Sequence, residues 1–338
     1  MRLVSGFFDF LARFGFDYFI LGLLGMIGLA WVYPSGGLGE GVFSLTEISD
    51  YAVSLIFFFY GLRLSRQKLR ADLYNWKLHL TIQAATFVLF PLLILAVKPL
   101  FVHTEANLLW MGTFFLASLP STVSSSVVMV SIAEGNIAAS IFNASISGIL
   151  GVAITPLWCS LVLGSETGSQ GMGLVVGKLF LQVLLPVMVG MALNSRFGSW
   201  AENNKQKLKY FDQIVILSII YTSFCKSFSQ NLFKSLSFWE LIVLACLMLS
   251  LFFSVFVLIS ILSRWLGFSR VDKIAAVFCG SKKSLVHGTI MSKVLFENSL
   301  IVGILLLPLM LYHALQLITA SMIAQKMQKQ NAQIRFND

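Results

Sequence analysis

The stretch FCGSKKSLVHGTIMSKVLF, residues 278–296, sets two adjacent lysines, Lys282 and Lys283, inside an apolar run. A charge near the centre of a bilayer costs about 2.5–3.5 kcal/mol on insertion scales, so such residues face the protein interior or a cavity and are functional candidates by default. The alternative is that the pair lies in a loop between shorter apolar segments. Apolar residues on both sides favour a span broken at Gly280–Ser284, and that choice decides how the rest of the chain is read.

The chain supports a membrane reading throughout: 57% of its residues are hydrophobic and only 12% are charged, and its mean hydropathy is +0.83. A spanning helix needs about 20 predominantly apolar residues. Blocks of that kind recur with short polar breaks, which predicts ten spans and no separate soluble domain. They are Tyr18–Tyr33, Tyr51–Leu64, Leu78–Val97, Leu108–Ala133, Ala138–Leu163, Gly173–Leu193, Gln213–Phe228, Trp239–Leu262, Lys273–Leu295 and Leu300–Ile323. The first is not a cleaved signal, because Asp9 and Asp17 precede it and no small-x-small site follows. Before it, FFDFLARFGFD reads either as a short interfacial helix or as an extended start of the span.

Basic residues are retained on the cytoplasmic side of a membrane. With the N-terminus inside, only Lys98, Lys178, Lys226, Lys234 and Lys293 fall outside; Lys282 and Lys283 stay in a span, and the remaining Lys and Arg are inside. This predicts cytoplasmic N- and C-termini and accounts for the net charge of +9 without nucleic acid. The absence of long loops and of a targeting extension makes a bacterial inner membrane the simplest location. Cys159, Cys225, Cys246 and Cys279 show no CxxC or Cys/His spacing, which gives no metal signature and leaves packing as their role. Asp50, Asp212, Asp272, Glu134, Glu240 and Glu297 all fall at span ends, which disfavours a cation carrier built on buried carboxylates.

The fourth span is interrupted as well, at LPSTVSSS, Leu119–Ser126. The fifth and tenth spans share Asn, then Gly-Ile-Leu, then Pro-Leu, at Asn143, Gly148 and Pro156 and again at Asn298, Gly303 and Pro308. Residues 18–163 and 173–323 therefore read as two five-span repeats within one integral-membrane unit, 1–338. An odd number of spans per repeat inverts the second, the recurring plan of secondary transporters, with discontinuous helices crossing near the midplane. Irregular backbone is tolerated there only where protein or a water-filled cavity satisfies it. The first half supplies Thr122, Ser124, Ser125 and Ser126, with Ser140 and Asn143 on the next helix; the second supplies Ser281, Lys282, Lys283 and Ser284. Hydroxyl and amide oxygens with unwound carbonyls are hard, neutral ligands of the kind sodium accepts. Two lysines without an acidic partner attract an anion or lower each other's pKa.

Residues 116–158, the stretch TIQAATFVLFPLL and the broken-helix stretch of residues 278–296 resemble the bile acid:sodium symporter superfamily, in its solute carrier family 10 member-7-like branch. The resemblance covers nearly the whole chain. It implies an all-α, ten-helix membrane fold, with a panel domain of helices 1, 2, 6 and 7 and a core domain of helices 3, 4, 5, 8, 9 and 10. It further implies sodium-coupled uptake of an organic anion through the cleft between the domains, by alternating access. Carried over by position, one sodium site matches Ser124 and Ser125 (or Ser126) at the fourth-helix break and Ser140 on the fifth helix, whose second ligand position reads Ala144. The other matches Gln83, together with a ninth-helix Glu-x-Gly-x-Gln-Asn run that here reads Phe278, Lys282 and Lys283 at its Glu, Gln and Asn. Sodium, where bound, would sit at this serine and glutamine cluster, and Thr122, Asn143, Ser281 and Ser284 are candidates for the substrate cleft. The lysines occupy the family's cation positions, which predicts that an ammonium stands in for one or both sodium ions by hydrogen-bonding the same oxygens, Gln83 and the Ser124–Ser126 carbonyls and hydroxyls.

Two other classes are set against transport. The same branch has been linked with calcium homeostasis, which makes a membrane regulatory protein the alternative. An enzyme is disfavoured, because Ser281-Lys282-Lys283-Ser284 lacks the Ser-x-x-Lys spacing of serine–lysine catalysts. No further cofactor is expected; cargo, coupling ion and oligomeric state are left open by the sequence.

Overall fold

The computed structural model describes residues 18–39, 45–63, 75–101, 104, 106–122, 124–163, 177, 180–231, 237–296 and 301–337. Among them all regular structure is helical, as expected where lipid offers no partner for backbone N–H and C=O groups. The first half holds α1 (Tyr18–Val32), α2 (Leu45–Arg63) and α3 (Trp76–Leu100). It continues with α4 (Asn107–Ser118), α5 (Ser124–Ile132) and α6 (Ile137–Leu163). The second half holds α7 (Leu185–Asn203), α8 (Lys205–Ser229) and α9 (Phe238–Trp265), then α10 (Arg270–Gly280), α11 (Leu285–Leu295) and α12 (Val302–Asn337). Five of the described helices, α3, α6, α8, α9 and α12, are long and apolar enough to cross a membrane, so the chain is a multi-pass membrane protein.

Helix ends depart from the expected spans where polar residues continue a turn. α8 begins at Lys205 rather than Gln213, because Leu208 on this basic segment is buried while Lys207 and Lys209 point outward. α12 runs past Ile323 through a polar tail. The N-terminal FFDFLARFGFD segment, Leu64 and the rest of the basic stretch that follows Arg63, residues 64–70, lie outside the described residues, as do Gly173 at the expected start of the sixth span and Leu300 at that of the tenth. Trp31, Tyr33, Trp76, Trp239 and Trp265 are exposed close to helix ends, where amphipathic rings suit a membrane–water boundary.

Three interruptions have identifiable causes. α4 stops at Ser118 because Leu119 precedes Pro120 and is pushed to an extended conformation, φ −73° and ψ 155°. Helix resumes at Ser124, so Ser124–Ser126 form the first turn of α5 and the irregular stretch is shorter than LPSTVSSS. α10 gives way to α11 across Ser281–Ser284, where the Ser284 side chain accepts the His287 N–H and caps the new helix. α3 widens into a π turn at Ala85–Leu89, just ahead of Pro91.

The helices sort into two sets. α2 packs along α7, and α8 packs against α1 and α2. α3, α4, α6, α9, α10 and α12 assemble around the interruptions, and α8 bridges to α11 and α12. Close approach of α2 and α7 rests on two facing glycines. A Cβ on Gly61 would strike the Val187 carbonyl, and one on Gly190 would strike the Phe58 carbonyl. Overpacking such a contact costs about 1–3 kcal/mol. Gly61→Ala and Gly190→Ala are each expected to lower the thermal unfolding midpoint in detergent by a few degrees. Gly25→Ala, whose Cβ would meet nothing within 4 Å, leaves it in place; equal midpoints for all three would contradict this packing.

Candidate functional site

The two broken helices meet at their breaks. Ser284 N–H donates to Pro120 O at 2.9 Å, Ser121 Oγ donates to Cys279 O at 2.5 Å, and Ser126 Oγ donates to Phe278 O at 3.4 Å. Each break thus supplies partners for backbone groups that the other leaves without a helical bond.

Lys283 closes the junction. Its Nζ donates to Ala117 O at 2.6 Å, Thr86 O at 2.7 Å and Leu119 O at 2.8 Å. Each acceptor is open for a structural reason. The Phe90 N–H reaches back to Ala85 O in the π turn, and Pro91 has no N–H, so no backbone donor of this turn reaches Thr86 O. At the end of α4 the last carbonyls are met one by one: Phe115 O by Ser118 Oγ, Leu116 O by the Leu119 N–H, Ala117 O by Lys283 and Ser118 O by Thr155 Oγ1. An ammonium carries three donors, and here three carbonyls receive them. The Phe90 ring adds a face at 4.2 Å from Nζ, and the partial negative charge of the α4 C-terminus favours a cation at this spot.

Lys282 is placed differently. It is as completely buried as Lys283, yet among the described residues its Nζ meets one acceptor, Ser125 O at 2.9 Å, and the Phe278 ring at 5.9 Å. A hydrogen bond to a charged group contributes about 1.5–3 kcal/mol, against an insertion cost of about 2.5–3.5 kcal/mol. Three bonds offset that cost for Lys283; one bond does not clearly do so for Lys282.

The other expected site residues divide between two clusters. Thr122 Oγ1 lies 2.6 Å from Ser125 Oγ and 3.0 Å from Ser126 Oγ, beside Lys282's acceptor. Ser124 begins the same helix, and its side chain lies outside the described residues. Ser281 Oγ turns back to Val277 O at 2.7 Å, and Ser284 Oγ lies 3.0 Å from His287 Nδ1. Ser140 Oγ meets Cys279 Sγ at 3.1 Å. Gln83 and Asn143 form a separate pair: Gln83 Nε2 donates to Asn143 O and Oδ1, both at 3.2 Å, and Asn143 Nδ2 lies 2.8 Å from His79 Nδ1. Gln83 Oε1 is buried without a hydrogen-bond partner, an oxygen of the kind a cation takes. Neither lysine hydrogen-bonds Gln83; their acceptors are main-chain carbonyls.

Residues that sequence reasoning did not single out complete the junction. Thr86, Ala117 and Leu119 contribute only backbone, which no side-chain pattern announces. Tyr312 and Gln316, both on α12 and fully buried, hold the second break. Tyr312 OH donates to Ser281 O at 2.7 Å, and Gln316 pairs with both backbone groups of Lys283 at 2.9 and 2.8 Å. A polar trio, Tyr312, His313 and Gln316, within an apolar span was the available signal.

Unequal partnering predicts unequal loss. Lys283→Met strands three buried carbonyls at about 1–3 kcal/mol each. It is expected to lower the thermal unfolding midpoint far more than Lys282→Met, which strands one. Comparable midpoints for the two variants would show that the carbonyl cage does not stabilise the fold.

Residues 17–329 match the model of the SBF-like CPA transporter family. An uncharacterised protein of Pseudomonas aeruginosa is 42% identical over 318 residues, 93% of either chain. A candidate symporter of Escherichia coli K12, YfeH, is 35% identical over 94% of this chain and 95% of its own. Sodium/bile acid cotransporter 7 of Xenopus tropicalis is 33% identical over 93% of this chain and 92% of its own. A broken-helix junction formed largely from backbone oxygens, in a multi-pass helical chain with relatives of these names over nearly its whole length, belongs to a membrane transporter. The chain is a member of the SBF-like CPA transporter family, within the bile acid:sodium symporter superfamily and akin to its member-7 branch.

Proposed function

We propose that this protein is a secondary transporter that takes up a small organic anion by alternating access, with the Lys283 ammonium standing in for sodium. The observation that carries the reading is the Lys283 Nζ among three main-chain carbonyls at 2.6–2.8 Å. Those oxygens are occupied by a cation that cannot leave. Sodium is therefore not required for binding, although Gln83 Oε1, without a hydrogen-bond partner among the described residues, is an oxygen that an ion could use. Lys282, with one carbonyl partner, is the charge left to meet the anion.

In this reading ten membrane helices form two inverted five-helix repeats, 18–163 and 173–323, crossing at the α4/α5 and α10/α11 breaks. α1, α2, α7 and α8 form the panel; α3, α4/α5, α6, α9, α10/α11 and α12 form the core. The grouping of contacts supports this division, and the names of the cotransporter 7 relatives support a transported organic anion. Both termini lie in the cytoplasm of a bacterial cell, and the protein sits in the inner membrane. Thr122, Asn143, Ser281 and Ser284 belong to the substrate cleft, and the Ser124–Ser126, Ser140 and Gln83 oxygens to the ion-coupling site. The oligomeric state does not enter the mechanism.

A ligand bound only by the folded state raises stability, by about 2.7 kcal/mol at a hundred times its dissociation constant. Thermal unfolding of the detergent-purified protein is expected to shift with one member of an organic-anion panel, and to respond alike to sodium and potassium. The double variant Lys282→Gln/Lys283→Asn is expected to gain a sodium-specific shift. A sodium-specific shift in the unaltered protein, or a double variant blind to sodium, would overturn the ammonium reading. No shift across the anion panel would favour a regulatory membrane protein over a carrier.

A further inference from the structure

We propose that Gln316, with Tyr312 one turn before it on α12, is the positioning residue that aims Lys283 into its carbonyl cage; this rests on the reading of that ammonium as the resident cation. The Lys283 N–H donates to Gln316 Oε1 at 2.9 Å, and Gln316 Nε2 donates to Lys283 O at 2.8 Å. A backbone N–H only donates and a backbone C=O only accepts, so both ends of the amide are fixed by their partners. The side chain thereby pairs with Lys283 as a neighbouring strand would, at a residue that has no helical partner of its own.

The clamp acts on the backbone of the break and not on the ammonium. Gly280 ends α10 and Leu285 begins α11, so the residues between them take their conformation from tertiary contacts. Tyr312 OH fixes Ser281 O at 2.7 Å, the Ser284 N–H is fixed by Pro120 O at 2.9 Å, and Gln316 fixes the peptide groups on either side of Lys283 between them. With its Cα held, the lysine stem reaches carbonyls of two different helices, α3 and α4. Tyr312 and Gln316 are one turn apart, on the same face of α12, and both are fully buried. Gln316 Nε2 also lies 3.0 Å from His313 Nδ1, which orients the amide from its own helix. Among the described residues no side chain pairs with the N–H or the C=O of Lys282 itself, so the amide holds both backbone groups of one lysine only.

The test replaces the amide by an unbranched apolar side chain of similar length, Gln316→Met, in the full chain purified in detergent. Lysine modification by a water-soluble amine-reactive ester is then followed at each residue by peptide mass spectrometry. Because modification of a buried lysine reports local opening, Lys283 is expected to react at least about ten-fold faster in the variant, while Lys282 stays within about two-fold of its original rate. An unchanged Lys283 rate, or equal acceleration of both lysines, would overturn the proposal, since a loss of general stability opens both. If Gln316→Met does not yield folded protein, Gln316→Asn keeps the amide but shortens its reach so that it cannot hold both backbone groups of Lys283, and the same selective rise at Lys283 is expected to a smaller degree. The labelling involves neither sodium nor cargo. A sodium-blind Lys282→Gln/Lys283→Asn variant would therefore sink the resident-cation reading, while the rates at Lys283 still decide the clamp.

Discussion

A buried ammonium with no carboxylate beside it among the described residues has to be met by oxygen, and in this protein the oxygen comes from interrupted helices. Lys283 takes one carbonyl from the π turn of α3 and two from the end of α4. The dependence runs both ways. Pro91 and Pro120 remove donors that would otherwise close those turns, so the carbonyls would be stranded in an apolar interior without the lysine. Charge and broken backbone each carry a penalty alone, and together they satisfy one another.

That junction organises the helices around it. α3 and α4 are joined through a single nitrogen, α10 and α11 through the backbone that carries it, and α12 through Tyr312 and Gln316. α6 enters through Ser147 and Thr155, which meet the Ser121 N–H and Ser118 O. The association of α2 and α7 has another basis, the close approach of Gly61 and Gly190, with no buried charge involved. Polar satisfaction around a buried cation holds one set of helices, and the other combines close backbone packing with polar ties such as Asn194 Nδ2 to Leu62 O at 2.6 Å and Arg63 to Asp212 at 3.3 Å. Across the two sets the ties include Tyr60 OH donating to Ser145 O at 3.1 Å, the Gly303 N–H donating to Ser227 Oγ at 3.2 Å, and the packing of α8 on α11 and α12.

Hydropathy made the helices legible, because a lipid-facing segment must be both apolar and internally hydrogen-bonded. Their ends were less legible, since the polar starts and tails of α8 and α12 continue a helix that hydropathy stops following. Both breaks could be located: a proline within a serine-rich stretch marked one and paired lysines marked the other. Their depth could not, because whether Ser124–Ser126 belongs to the break or to the next turn depends on tertiary bonds. The partners of the lysines were the hardest to foresee. Pattern matching pointed to Gln83 and to the carbonyls and hydroxyls of Ser124–Ser126; Lys282 meets one of those carbonyls, Ser125 O, whereas Lys283 takes the carbonyls of Thr86, Ala117 and Leu119, whose availability depends on which N–H is missing nearby. Gln316 is separated from Lys283 by a full helix, so only the folded chain brings them together.

A tethered cation differs from a dissolved one in what it can do for a carrier. Sodium has a structural effect, neutralising the oxygens where the helices cross, and an energetic one, because its occupancy differs between the two sides of the membrane. Under the proposed reading Lys283 retains the first and gives up the second, since a group that never dissociates has no differential occupancy through which a gradient could bias an equilibrium. A net anionic cargo entering an inside-negative cell then works against about 2.3 kcal/mol per charge for each 100 mV. A protein charge that moves with the cargo reduces the charge transferred in that step, and Lys282, with its single carbonyl partner, is the one placed to accompany it. The proposed carrier thus divides its lysines between two tasks: Lys283 holds the crossing together, and Lys282 balances the charge of what crosses.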